Sequence, residues 1–493
     1  MMMETSRVAE VQLTTNQSTL PVSKPVLTRR NATTLWLKDF LRFIGPGFLV
    51  AIAFLDPGNI AADVNQAVGS GYELMWVTCL GTILSWFIQC CCARLGVISG
   101  SHLAALIRDN YPPVISSFLF LFITIAILAT DMLEVVGGAI AIHGITDGRI
   151  PLWAGVLLTC IATFVILSLK WVGNRSLEYI MIVFVVMLAI TMCILCSKTT
   201  VDVPQMFLGM VYPRLPASQV SVAIGALGAL VMPHNLYLHS ALMSSREDEV
   251  IVVGMNRALT YVTIEAAGTL VISLVINSIC IIVFALGSKM YGNGSDMGLA
   301  TIGDVLADVF GRGYKYVWYL GLLASAQAST LTTTFTAQFV ITGFTRIKED
   351  SIWLLFVTRG LTLVPSVVIA VFSYQIHDGF AAMTNALNIV DSVVVPFAIQ
   401  PLLALSTYTL EMWKLDPFAK FMLAMTWVSS WIIMGLNTYN MVDAGRSTIP
   451  KQMGVQVCFY IAVAIYIFLL VFFSFSPAFM HRMFDFLEVR WRR

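Results

Sequence analysis

Two short segments put residues capable of metal chemistry in the middle of otherwise apolar runs. GPGFLVAIAFLDPGN carries Asp56, Pro57, Gly58 and Asn59, and GALGALVMPHNLYLH carries Met232, Pro233, His234 and Asn235. Each proline removes a backbone donor and Gly58 permits unusual dihedrals, so both helices are expected to unwind there. An unwound turn frees carbonyls beside ionisable and amide groups, which is the make-up of a cation site. Asp56 offers a hard anionic oxygen and Asn59 a neutral one. Ala229, three residues before Met232, could add a freed carbonyl. The Met232 thioether suits borderline-soft ions better than calcium or magnesium. The set therefore favours manganese, iron, cobalt or cadmium. The plainer reading is a pair of proline kinks with incidental polar residues and a methionine that only packs. Two such breaks, five spans apart, fit inverted repeats whose broken helices face each other at the bilayer midplane.

The elements that must position these residues follow from composition. Of 493 residues, 58% are apolar and 12% charged, with mean hydropathy +0.82. A soluble domain is about half apolar and a quarter charged, so lipid is the natural solvent of this chain. Spans are expected near 42–66, 72–95, 114–143, 151–170, 177–197 and 219–245. A second set follows near 259–287, 315–345, 352–373, 384–406, 418–437 and 455–478. The fold class is thus an all-α multi-pass membrane protein of about twelve spans. Its expected parts are a disordered cytosolic tail (1–40), spans one to five (41–212), spans six to ten (213–408), spans eleven and twelve (409–480) and a short cytosolic tail (481–493). An even span count and an excess of Lys and Arg on one side, roughly two to one, put both termini in the cytosol.

Other functions are disfavoured. A net charge of +1 argues against nucleic acid, and no nucleotide-binding motif or catalytic triad is present, so an enzyme or ATP-driven pump is not expected. No secretory signal is expected, because no apolar run precedes Leu41. The six His and nine Cys show no zinc spacing. Cys90, Cys91 and Cys92 could be palmitoylated, but packing is the preferred reading; Cys193 and Cys196 are discounted as a redox pair. The sequon at Asn293, in the loop after span seven, is a possible glycosylation site, whereas Asn16, Asn31 and Asn174 fall on the cytosolic side.

The DPGN of span one and the MPHN and LHS of span six resemble the Nramp family of proton-coupled divalent-metal transporters. GYELMW and ARLGVISGSHLA around span two, ATDMLEVVGG in span three, GLLASAQASTLTTTFTAQF in span eight and the LN and PFA of span ten extend the likeness. The resemblance implies a LeuT-type fold of two inverted five-helix repeats followed by two extra helices. It implies metal ligands at Asp56, Asn59, the Ala229 carbonyl and Met232, with Asn388 joining on occlusion. It also implies a proton route through His234, Asp131 and Glu134, with Arg246 and Arg359 toward the cytosol. The transported substrate would be manganese or iron, with protons as co-substrate and no cofactor. The host would be a plasma, endosomal or vacuolar membrane.

The residues support part of this unaided. Asp131 and Glu134 are spaced i, i+3 and share a helix face. Two adjacent carboxylates in low dielectric cannot both ionise cheaply, which makes one a candidate proton carrier. The alternative is a static ion pair between one of them and an arginine. His234 could equally be a satisfied structural histidine, and His239 is read as structural. The chain also departs from the family pattern. Ala326, Ala328, Thr333 and Ala337 stand where Gly or Ser is usual, and Asp391 stands where many relatives have Gln. Asp391 could join the metal or proton path, though a polar cavity lining is the preferred reading. Two rival functions remain. An Nramp-like sensor would need an output module, and an amino-acid transporter would have to place a substrate carboxylate against Asp56.

Overall fold

The computed structural model describes residues 36, 38–40, 43, 45–168, 174–291, 298–347, 352–373, 379–415, 417–448 and 452–483. Met1–Leu41 forms one unit and Arg42–Arg493 another. The expectations for most of the first 40 residues, for the loop at Asn293 and for the last ten residues lie outside the described residues.

Eight helices of the second unit are long and apolar enough to cross a membrane. They are Met75–Ser99, Pro113–Ile145, Tyr179–Cys196, Val220–Ser244, Met255–Ala285, Ala386–Thr409, Pro417–Asp443 and Met453–Phe473. The other four expected spans are helical too. Span one is split into Pro46–Ala53 and Pro57–Ser70. Span four, Leu152–Ser168, is short. Span eight, Arg312–Thr345, carries a run of Ser, Thr and Gln, and span nine, Ile352–Ser373, contains Pro365. No strand occurs among the described residues.

Local chemistry sets the ends. Pro46, Pro57, Pro113 and Pro233 open helices at positions where a missing N–H costs nothing. Gly100 ends span two in the left-handed region, at φ 61°. Span eight tolerates its hydroxyls because they bond back along the helix. Thr334 donates to the Thr330 carbonyl at 2.6 Å and Thr336 to that of Thr332 at 2.9 Å.

Small residues let the spans approach closely, as expected where lipid provides no hydrophobic drive between helices. A Cβ on Gly96 of span two would stand 2.5 Å from the Ser240 carbonyl oxygen of span six. One on Gly137 of span three would stand 2.6 Å from the Pro57 ring. Burial ranks the spans: 83% of the apolar window of span ten is inside the protein, against 17% for the last span, which is therefore peripheral. At one end of the bundle Lys315 bridges Asp147 at 3.1 Å and Asp304 at 2.8 Å. The Tyr316 hydroxyl donates to Asp147 at 2.7 Å. That hydroxyl and then Lys315 hold the exposed Asp147 carboxyl below its usual range.

Candidate functional site

The break in span one is a cap built by its own motif. After Ala53 the chain makes two tight turns, Phe54 N–H to the Ala51 carbonyl and Leu55 N–H to that of Ile52. Asp56 then turns extended (ψ 165°) and caps the second half. Its carboxylate accepts from the Asn59 N–H at 2.9 Å and the Gly58 N–H at 3.2 Å. The Asn59 side-chain nitrogen donates to Asp56 Oδ1 at 2.7 Å and to the Ala53 carbonyl at 2.9 Å. Neighbouring spans catch the carbonyls that the break frees. Asn277 of span seven donates to the Phe54 oxygen at 3.1 Å, and Ser325 of span eight donates to that of Leu55. Asp56 is fully buried.

Span six breaks as well. Its first half ends at Ala229, Met232 stands extended before the second half without a side-chain capping bond, and Pro233 opens it. Ser85 of span two takes the freed Leu230 carbonyl at 2.8 Å. Asn235 stitches the two broken spans together, donating to the Val50 carbonyl of span one at 3.2 Å. Span ten packs on both halves of span six and approaches the span-one break with Asn388. A Cβ on Gly58 would lie 3.8 Å from Asn388 Oδ1, and one on Gly228 would lie 2.7 Å from Ser392 Oγ. Thus Asp56, Asn59 and Asn388 meet at one break, and Ala229 and Met232 flank the other. Met232 is buried, whereas Ala229 and Asn388 keep partial exposure.

The two span-three carboxylates have separate partners. Asp131 is paired with Arg359 of span nine, whose Nη1 lies 2.9 and 3.1 Å from its two oxygens. Arg359 Nη2 also donates to the Thr330 carbonyl at 2.5 Å. Glu134 accepts from the Thr333 hydroxyl at 2.7 Å and has no donor on Oε2 among the described residues. Asp131 is thus the ion-paired member, and Glu134 the one with an oxygen to spare. His234 Nδ1 lies 3.5 Å from the Thr130 hydroxyl, and its Nε2 has no partner among the described residues. His239 Nδ1 contacts Gln89 at 2.8 Å. Arg246 is removed from this group. It sits past the end of span six, about 18 Å along the helix from His234. Cys90, Cys91 and Cys92 are buried and serve packing.

Sequence reasoning named Asn235 without its role and missed Asn277, Ser325 and Thr130, which hold the broken backbone or its neighbours. Their only advance signal is that a polar side chain inside an apolar span must find a partner there. Thr333 had been noted only as bulkier than its usual counterpart, yet it is the residue that holds Glu134.

The family model named Nramp, "Natural resistance-associated macrophage protein-like", matches residues 47–443. "Metal transporter Nramp4" of Arabidopsis thaliana is 34% identical over 88% of this chain and 86% of its own length. "Metal transporter Nramp3.2" of Populus trichocarpa is 36% identical over 83% and 81%. Among solved structures, a variant of the Eremococcus coleocola manganese transporter covers 91% of this chain and 96% of its own, with TM-score 0.77 at 24% identity. Mhp1, a nucleobase-cation-symport-1 family transporter, superposes with TM-score 0.53 at 13% identity over 82% and 93%. The architecture is therefore the LeuT-type fold, carried by a family of transporters and not of enzymes. With four-fifths of its length matched by the family model and relatives above 30% identity over more than four-fifths of it, this chain belongs to the Nramp family.

Proposed function

We propose that this protein imports a divalent transition metal, manganese or iron, into the cytosol together with protons, by alternating access. One observation carries the reading. A buried aspartate and an asparagine sit in a broken span one, joined through Asn235 to an equally broken span six. The names of the relatives agree, since they are metal transporters and one solved neighbour is a manganese transporter. In this reading Asp56, Asn59, the Ala229 carbonyl and Met232 bind the ion, and Asn388 joins as span ten closes. Residues 41–212 and 213–408 rock against each other about that point. Glu134 and His234 carry protons, and the Asp131–Arg359 pair holds the path toward the cytosol. Metal uptake into proteoliposomes, with and without an inward pH gradient, tests the whole. Uptake indifferent to the gradient would remove the proton from the mechanism.

Selectivity has its own test. Oxygen ligands alone suit calcium and magnesium as well as manganese, so the Met232 sulfur is the discriminating group. Met232→Ala leaves room for water at that position. Manganese uptake should persist while calcium becomes an effective competitor, so selectivity falls more than rate. Calcium that competes no better in the variant would reduce Met232 to packing.

A further inference from the structure

We infer that Asp391 of span ten binds a transported proton, standing beside the metal site as a neutral carboxylic acid against the Thr130 hydroxyl. The inference deepens the proton-coupled reading above and depends on it for the word transported. The poverty of partners around the Asp391 carboxyl carries the protonation itself. Thr130 Oγ1 lies 2.9 Å from Asp391 Oδ2 and 3.0 Å from the Ala126 carbonyl oxygen one turn back. A single neutral hydroxyl, shared with a helix carbonyl, is little to hold a buried carboxylate anion.

The second oxygen agrees. Asp391 Oδ1 is buried and has no hydrogen-bond donor among the described residues. An ionised carboxylate with one oxygen stranded away from water and cations is costly, whereas the carbonyl oxygen of a neutral acid loses far less.

Position makes the proton useful. Asn388, Asp391 and Ser392 share one face of span ten, at spacings of three and four. Asn388 lies against Gly58 at the break of span one, and Ser392 against Gly228 at the break of span six. Asp391 stands between them. Thr130, which it touches, lies 3.5 Å from His234 Nδ1. The titratable groups around it are His234 from span six and Asp56 from span one. Span three adds Asp131, paired with Arg359 of span nine, and Glu134, held by Thr333 of span eight. Tyr466 of span twelve spends its hydroxyl on the Val393 carbonyl. Asp391 has no cation bonded to it among these, so a proton is the charge that can come and go. Loading forms one O–H bond at Oδ2 with a proton from the aqueous path. Release breaks that bond and returns the proton to water or to the His234 side.

Infrared spectroscopy of the purified full-length protein at neutral pH reads the proton directly. The wild type should show a carbonyl band of a protonated carboxylic acid that disappears in Asp391→Asn, whose amide can still bond Thr130. A band unchanged by the substitution overturns the inference. So does a manganese affinity weakened by more than about tenfold with the band unaltered, which makes Asp391 a metal ligand instead. Should Asp391→Asn fail to fold, Thr130→Val serves: it removes the hydroxyl partner of the carboxyl, and the same band must shift. Flux in proteoliposomes then tests use, and Asp391→Asn should carry fewer protons per manganese ion than the wild type. A wild type that moves metal without protons would sink the coupling reading while leaving the band, and the bound proton, in place.

Discussion

Asp56→Ala is expected to abolish manganese binding and uptake, with affinity falling by about a hundredfold or more, equivalent to ~2.7 kcal/mol. The side chain is the one anionic ligand in the proposed set and lies buried, where the attraction between a carboxylate and a divalent cation is poorly screened. The same carboxylate also caps the second half of span one, through the N–H groups of Gly58 and Asn59. Losing that cap costs about 1 kcal/mol of helix stability, so a binding defect in the alanine variant mixes two effects. Asp56→Asn separates them, because its side-chain oxygen retains a capping acceptor while the charge is gone. Calorimetric titration of both variants should show the large loss in each, with the thermal midpoint lowered only in the alanine variant. Wild-type affinity in Asp56→Asn would move the ion elsewhere.

Arg359→Ala is expected to have the largest effect on stability. The guanidinium bonds both oxygens of Asp131 and the Thr330 carbonyl, in a site where each partner is under a tenth exposed. Removing it strands a buried carboxylate, and breaking such a pair from one side costs about 3–5 kcal/mol. Arg359→Lys should recover only part of this, since an ammonium cannot reach the carboxylate and the carbonyl with the same planar fork. Removing the carboxylate as well, in Arg359→Ala with Asp131→Ala, should restore much of the lost stability. Thermal unfolding in detergent checks the series. Additive losses in the double variant would mean that the pair is not an energetic unit.

These two cases differ in how far they could be read in advance. The Asp56 cap is local. Its partners are two and three residues away, so the DPGN motif contains the whole arrangement. Asp131 was expected to form either a proton pair with Glu134 or an ion pair with an arginine, and spacing alone left both open. Span nine decides it, because Arg359 is 228 positions away in the chain and reaches Asp131 only when the spans pack. Glu134 is likewise assigned by Thr333 from span eight.

The spans, the two breaks and the capping of the first were determined by the sequence alone. They depend on apolar run length, on proline lacking a donor, and on side chains reaching their own backbone, all of which are short-range. Tertiary structure decided which carbonyls freed at the breaks are held and by whom, and which carboxylate pairs with arginine. It also brought Asp391 against Thr130. Each of these is a contact between polar groups from different spans. Without water in the apolar layer such groups must find each other, and periodicity says that they will without saying which.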